Sequence, residues 1–324
     1  MVTWQGFDPD DQAVRRLLEE AGVEVELRPK LGARSPDEVV EIMAGASGAV
    51  ASTDPFDRSV LERLPRLRVI ARTGVGLDSI DLEAATREGV VVSRTSGAHE
   101  ECVADHALAL MLAALRRVVE NDASVRRGGW ERAGALTPWG LYESCVGIVG
   151  IGRIGSAVAR RLRGFDCEVI GYDPNVEQSA GVTLVPLDRL FERADVVTLH
   201  APLTPETRGL VDERRLGAMR PGAILVNTSR GELVDEDALV AALRAGTLRA
   251  AGLDVFVDEP PVSSPLLELP NVVLSPHIAG FSVASIRELT IQALSSALDV
   301  LAGRPSAGIV NPEALAHPRQ RRRA

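Results

Sequence analysis

At 324 residues with 45% apolar content, the chain has length and apolar mass for two hydrophobic cores, so two domains are expected. A formal net charge of −9 argues against a general nucleic-acid surface, because binding a polyanion needs a basic face. A quarter of the residues are charged, no apolar run approaches the roughly 18 residues that cross a bilayer, and the opening MVTWQGFDPDDQ lacks a secretory pattern; a soluble, cytoplasmic protein without a membrane partner is expected.

From residue 10 to 95, helical patterns (DDQAVRRLLEEAG, SPDEVVEIMAG, DLEAATREG) alternate with short β-branched runs (VEVEL, GAVAS, LRVIA, VVVS), the signature of βα units on a parallel sheet. Residues 103–119, VADHALALMLAALRRVV, read as one long helix with apolar residues around most of its circumference. Such a helix is buried, between domains or against a second subunit, and a homodimer formed through it is expected. A second alternation begins at Val146, with strands VGIV, EVIG, VTLV, VVTLH, AILVN, GLDVF and NVVLS. A last helix, SVASIRELTIQALSSALDVLAG, is long enough to return to the first domain. Residues 1–97 with 283–324 then form one domain and 98–282 the other. The basic tail Arg319-Gln320-Arg321-Arg322-Arg323 has no apolar partner positions and reads as disordered and solvated. Cys102, Cys145 and Cys167 have neither metal-ligand nor disulfide spacing and read as small buried side chains; no metal is expected.

Within VGIVGIGRIGSAVARRLRGFDCEVIGYD, Gly150, Gly152 and Gly155 form G-x-G-x-x-G after a strand and at the start of a helix. Gly150 permits a tight turn, Gly152 lets a pyrophosphate approach the backbone, Gly155 allows close helix–strand packing, and the helix N-terminus supplies unpaired N–H groups. Asp173 ends the next strand, where a carboxylate accepts hydrogen bonds from ribose hydroxyls and repels a 2′-phosphate. NAD is therefore favoured over NADP. A glycine-rich turn beside an ordinary surface aspartate is the plain structural alternative. The fold class expected is α/β: two doubly wound parallel-sheet domains, a Rossmann NAD-binding domain inserted in a flavodoxin-like substrate domain.

In open α/β sheets the reacting groups sit at the carboxyl ends of strands, and three candidates lie there: Arg230 after AILVNTS, Glu259 just past GLDVFVD, and His277 ending NVVLSPH. Reduction of a 2-keto acid needs a hydride donor, a proton donor and a cation for the carbonyl and carboxylate. A carboxylate beside an imidazole favours its protonated form. Asp254, inside the strand pattern, is placed to meet a nicotinamide carboxamide. Taken singly, Arg230 also suits a helix cap, Glu259 a loop charge and His277 a satisfied core histidine.

The segments ARTGVGLDSIDLEAATREGV, CVADHALALML, VGIVGIGRIG with YDP, HAPLTPETRGL, VNTSRGELVDEDAL, AGLDVFVDEPP and LSPHIAG resemble the D-isomer-specific 2-hydroxyacid dehydrogenase family, in particular its phosphoglycerate dehydrogenase-like branch, across residues 68 to 280. The resemblance implies catalytic roles for Arg230, Glu259 and His277, with Glu259 assisting His277 as general acid or base. It implies substrate contacts at Thr53, Arg72, Val75 and Gly76, with the Val75 and Gly76 backbone receiving a carboxylate. Implied cofactor contacts are Thr95, Gly150, Gly152, Arg153, Ile154, Gly155, Asp173, Ala201, Pro202, Thr228, Ser229, Asp254 and Gly280.

Formate dehydrogenases of the superfamily carry glutamine where Glu259 stands, which disfavours that activity. Phosphoglycerate dehydrogenases typically show R-S-x-T-K where this chain reads Ala51-Ser52-Thr53-Asp54-Pro55, so both cations are missing and a phosphate would meet Asp54, unless Asp54 turns away. His99 and Asp105 also depart from the family pattern. The expected activity is NAD-dependent hydride transfer on a small 2-hydroxy or 2-keto acid. The alternatives are phosphoglycerate dehydrogenase proper, glyoxylate or hydroxypyruvate reductase, and, from another class, an NADH-sensing binding protein like the C-terminal-binding-protein corepressors.

Overall fold

A computed structural model describes the chain except Leu31, Ala33, Ser96, Ala98, Ala135, Leu136, residues 322–324 and the side chain of Arg321. The chain divides into two compact units: Met1–His99 with Ser282–Ala324, and Glu100–Phe281.

The first unit carries β1 (Gly48–Ala51), β2 (Val69–Arg72) and β3 (Val91–Arg94), parallel and in the order β1-β2-β3. Helices α1 (Gln12–Ala21) and α2 (Pro36–Met43) precede β1, and α3 (Arg58–Leu61) and α4 (Leu82–Arg87) fall between the strands. Local chemistry sets their starts: the Asp11 carboxylate accepts from the amides of Ala13 and Val14, and Ser35 and Glu38 form a reciprocal capping box with Pro36 in the first turn. VEVEL does not form a strand. Only Leu27 bridges to Val2, which bridges in turn to Val50, so the sheet is extended at that edge by single residues.

The second unit begins with α5 (Glu100–Arg116), followed by α6 (Val118–Arg126). The helix expected over 103–119 is thus shifted and interrupted, because Arg117 adopts a left-handed conformation with φ 50°. Seven strands follow: β4 (Cys145–Val149), β5 (Glu168–Tyr172), β6 (Thr183–Leu184), β7 (Val196–Leu199), β8 (Ala223–Asn227), β9 (Leu248–Leu253) and β10 (Val272–Leu274). Their order is β10-β9-β8-β7-β4-β5-β6, all parallel. Helices α7 (Arg153–Leu162), α8 (Leu187–Arg193), α9 (Glu213–Ala218) and α10 (Glu236–Ala245) cover it. Every residue of β4, β7 and β8 is buried, as expected of strands covered on both faces. The order reverses between β4 and β7, and ligands of such sheets bind outside the strand carboxyl ends at that point.

The all-round apolar character of α5 is used within its own unit: Val103, Ala104, Ala107, Leu108, Leu110, Met111, Ala114 and Leu115 are buried, and the helix packs on α7, β8, β9 and β10. Gly252 in β9 permits that approach, since a Cβ there would lie 2.9 Å from the Leu110 Cβ. No described helix is long and apolar enough to cross a membrane.

The chain then re-enters the first unit as α11 (Val283–Leu301), which packs on β1, β2 and β3 through Leu294, Ala297 and Leu298. The tail beyond it is anchored where disorder was expected. Arg319 pairs with Glu88 at 3.3 Å and donates to the Leu67 carbonyl, and the Gln320 amide donates to the Arg68 and Gly89 carbonyls, each at 2.7 Å. Arg322 and Arg323 lie outside the described residues. Of the three cysteines only Cys145 is fully buried, and burial, with Glu168 nearby, pushes its thiol up to about 12.

His200, at the exit of β7, is buried with its Nε2 2.9 Å from the Thr198 hydroxyl, and burial lowers its pKa to about 3. The unfolded imidazole takes up a proton below about pH 6.5 while the folded one does not until about pH 3. The unfolded state therefore binds more protons in that window, and stability is lost as pH falls through it. Urea unfolding of the wild type between about pH 6.5 and pH 4.5 should lose up to about 1.4 kcal/mol per pH unit more than His200→Asn. Equal slopes for the two proteins would refute this.

Candidate active site

Two glycines of the turn after β4 are sterically required. A Cβ on Gly150, which sits at φ 91°, would lie 2.7 Å from the His200 carbonyl carbon, and one on Gly155 would lie 2.0 Å from the Gly150 oxygen. Around Gly152, by contrast, nothing lies within 4 Å of such a Cβ. Gly152 is also the N-cap of α7 and supplies no side-chain cap, so the start of the helix lacks side-chain capping beside open space, which suits an anionic group. Asp173, just past β5, accepts from the Ile151 amide at 2.8 Å and from the Asn175 amide at 2.9 Å, which fixes its carboxylate against the same turn. Arg153 reaches Glu100 at 3.3 Å while its side chain stays 73% exposed.

At the exit of β8, Asn227 organises the next loop: its side-chain oxygen accepts from the Ser229 amide and its nitrogen donates to the Arg230 carbonyl. The Thr228 hydroxyl is buried with no hydrogen-bond partner among the described residues, an arrangement that suits a polar ligand. Arg230 stands at the N-cap position of a short 3-10 turn, Gly231–Leu233, but makes no side-chain cap; its Nη1 donates to the Ser229 carbonyl at 2.6 Å. Gly231 is in contact with the next loop, since a Cβ there would lie 2.1 Å from the Phe256 carbonyl carbon. The loop that carries Arg230 is thereby held against the loop that carries Glu259.

Glu259 and His277 meet. The Glu259 Oε1 accepts from the Phe256 amide at 3.1 Å, and its Oε2 lies 2.7 Å from His277 Nδ1. Both side chains are about one-third exposed, His277 at 35% and Glu259 at 33%, so the pair is open to a ligand. A carboxylate only accepts, so Nδ1 carries the proton and Nε2 is left for other chemistry. His277 has φ 55°, a left-handed conformation that costs a residue with a Cβ on the order of 1–3 kcal/mol and persists only where surrounding contacts hold it.

Those contacts come from Asp254. The residue lies beyond the end of β9 rather than inside a strand, and its side chain is fully buried. Its carbonyl accepts from the His277 amide at 2.8 Å, Oδ1 accepts from the Ile278 amide at 3.0 Å and the Ser275 hydroxyl at 2.6 Å, and Oδ2 accepts from the Ala279 amide at 2.8 Å. Burial pushes this carboxyl up, but the imidazole of His106 close by and the hydrogen bonds from Ser275 and the two amides outweigh it, so its pKa lies below the ordinary carboxylate value. His106 escaped the sequence reading: in the pattern of α5 it is one polar residue in an apolar stretch, and its partner lies 169 residues away. Among the described residues no cluster could hold a metal ion.

In the other unit, Thr53 is exposed after β1, and Val75, 37% exposed, and Gly76 lie in the turn after β2. Arg72 is buried under that turn, its Nη1 2.9 Å from the Thr73 carbonyl and close beneath Gly74. The Thr95 hydroxyl, after β3, is buried without a hydrogen-bond partner among the described residues. Asp54 is not a free carboxylate at the mouth of this turn. It is buried, pairs with Arg34 at 2.5 Å and accepts from the Thr3 hydroxyl at 2.6 Å; the Arg34 side chain is only 7% exposed. Asp105, in the second unit, pairs on the surface with Arg161 at 2.5 Å.

Residues 108–279 match the family model described as D-isomer specific 2-hydroxyacid dehydrogenase, NAD binding domain. The chain is 48% identical over 238 residues to a glyoxylate reductase of Korarchaeum cryptofilum, covering 71% of this chain and 72% of that protein. It is 46% identical over 243 residues to a D-3-phosphoglycerate dehydrogenase of Mycobacterium leprae, covering 74% of this chain and 46% of that protein, so the match spans about half of that relative's length. The crystal structure of the TT0316 protein from Thermus thermophilus superposes with a TM-score of 0.85 at 42% identity, over 92% of this chain and 96% of that one. The chain belongs to the D-isomer specific 2-hydroxyacid dehydrogenase family and is an NAD-dependent oxidoreductase of that family.

Proposed function

We propose that this protein reduces a small, unphosphorylated 2-keto acid to the D-2-hydroxy acid, or oxidises it in reverse, with His277 as the proton donor and acceptor. The observation that carries this reading is the 2.7 Å contact between His277 Nδ1 and Glu259, beyond the strand ends of an NAD-binding domain. Gly150, Gly152 and Gly155 with the amides of Arg153 and Ile154 hold the cofactor's pyrophosphate. Asp173 holds its ribose, and Ala201, Pro202, Thr228, Ser229 and the turn ending at Gly280 line its path. Bound NAD(H) supplies or accepts the hydride at the substrate's second carbon. Glu259 keeps the His277 proton on Nδ1 and stabilises the imidazolium, so Nε2 delivers a proton to the carbonyl oxygen during reduction and recovers it during oxidation. Arg230 supplies the cation that polarises the carbonyl and holds the carboxylate. Thr53, Arg72 and the backbone of Val75 and Gly76 are assigned to recognition of the substrate acid.

The preference for an unphosphorylated substrate rests on Ala51–Phe56. That stretch contains no cation, and nearby Arg34 is already neutralised by Asp54. A dianionic phosphate would find little compensation there, whereas the single carboxylate of a glyoxylate- or hydroxypyruvate-like acid needs less. The protein is proposed to act in the cytoplasm as a homodimer. Val118, Val119 and Val125 on α6 are each at least 50% exposed and Trp130 is 79% exposed, which favours α6 and the following loop over α5 as the contact surface.

His277→Ala should lose more than about a hundredfold in turnover while still binding NADH; near-normal turnover would remove His277 from this role. In an NADH- and NADPH-oxidation panel of glyoxylate, hydroxypyruvate, 3-phosphohydroxypyruvate, pyruvate and bulkier 2-keto acids, the small unphosphorylated acids with NADH should give the highest kcat/KM. A clear preference for the phosphorylated compound would overturn the substrate reading. NADH binding by the wild type with no turnover of any member would favour an NADH-sensing protein instead. Solution mass at micromolar concentration should correspond to two chains, and a monomer would contradict the dimer.

A further inference from the structure

Beyond the pair that meets the substrate, a second layer of groups reaches His277 from behind. His106, on α5, places Nε2 2.8 Å from the Ser275 hydroxyl oxygen and 3.5 Å from Asp254 Oδ1. The Ser275 hydroxyl lies 2.6 Å from the same Oδ1. Proton counting fixes the direction of this chain. Asp254 is held as a carboxylate and only accepts, so the single hydroxyl hydrogen of Ser275 points to it. The Ser275 oxygen must then accept from His106, and Nε2 of His106 carries hydrogen. The order His106 to Ser275 to Asp254 is therefore the one that satisfies all three groups.

The Asp254 carboxylate in turn accepts the amides of Ile278 and Ala279, while its main-chain carbonyl accepts that of His277, in the turn where His277 is left-handed. The turn has no glycine at position 277 to relieve that conformation, so its geometry depends on the position of the buried carboxylate.

We propose that His106 and Ser275 are positioning residues for proton transfer: acting through Asp254, they hold the left-handed turn that aims His277 at the substrate. The proposal rests on the reading of His277 as the proton donor. Neither residue touches substrate. Without the His106 donor, the Ser275 hydroxyl has no partner on its acceptor side and is free to rotate away from Asp254. The carboxylate then loses one of the donors that fix it, and the turn relaxes toward ordinary backbone angles. The consequence is specific, because it moves the imidazole relative to Glu259 without altering the glycine turn or Asp173.

The test compares His106→Leu, His106→Gln, Ser275→Ala, the Leu/Ala double variant and His277→Ala in the full chain. The measurements are kcat and KM with glyoxylate, NADH affinity by fluorescence titration, and the unfolding midpoint. His106→Leu and Ser275→Ala should each lower kcat about tenfold or more, with NADH affinity within about twofold of wild type. The double variant should be no worse than about the larger single loss, because both act through one chain of hydrogen bonds. His106→Gln, whose side-chain amide can donate to Ser275, should recover most of the turnover.

Wild-type turnover in His106→Leu beside an inactive His277→Ala would overturn the positioning role and leave the reading of His277 standing. An active His277→Ala would overturn both. A Gln variant as impaired as the Leu variant, additive losses in the double variant, or a fall in kcat matched by equal losses of NADH affinity and unfolding midpoint would mark a general packing defect and refute the proposal.

Discussion

The Asp254 carboxylate has no exposed surface, and its charged form is favoured because three donors from the turn after β10, the Ser275 hydroxyl and the amides of Ile278 and Ala279, converge on it. Removing one partner of a buried charged network typically costs several kcal/mol, far more than the net gain from forming it. The exit of β9 and the turn after β10 are therefore effectively one piece. Gly231 extends the same rigidity to the exit of β8, because its backbone approaches Phe256 without room for a methyl group. The three candidate reacting groups stand on loops, but on loops whose backbones are fixed to one another. Parallel pairing places all of these exits at one end of the sheet, so positions 230, 259 and 277 lie at the same end.

The nucleotide turn obeys the opposite requirement. Gly150 and Gly155 are crowded, but the space at Gly152 is open and the first amides of α7 are uncapped. A helix end left this way is unfavourable in the absence of a ligand and favourable with an anion on it. Tight packing on two glycines and open space on the third together make a cradle, and the carboxylate of Asp173 closes one side of it by bonding the Ile151 amide.

Much of this was legible in the sequence where the signal is local. AILVN coincides with β8, the glycines stand where the turn needs them, and the family resemblance agrees with the matched family model. What failed depends on distant partners or on backbone detail. The β-branched run VEVEL has the composition of a strand but pairs only at Leu27, and GLDVF contains only the last two residues of β9, which begins at Leu248. The apolar periodicity of 103–119 continues through Arg117, where the backbone turns left-handed and ends α5. His106 and Asp54 were unreadable for a common reason. Their meaning lies in Ser275, 169 residues on, and in Arg34, which approaches from another loop.

The Asp54–Arg34 pair has a consequence for how this enzyme's substrate range can change. Replacing Asp54 with a cation to welcome a phosphate would leave Arg34 buried beside a like charge and the Thr3 hydroxyl without its acceptor. Replacing Arg34 alone would strand a buried carboxylate. Each single step is unfavourable although the double exchange need not be, so on the substrate reading proposed above position 54 is locked by epistasis and can change productively only together with position 34.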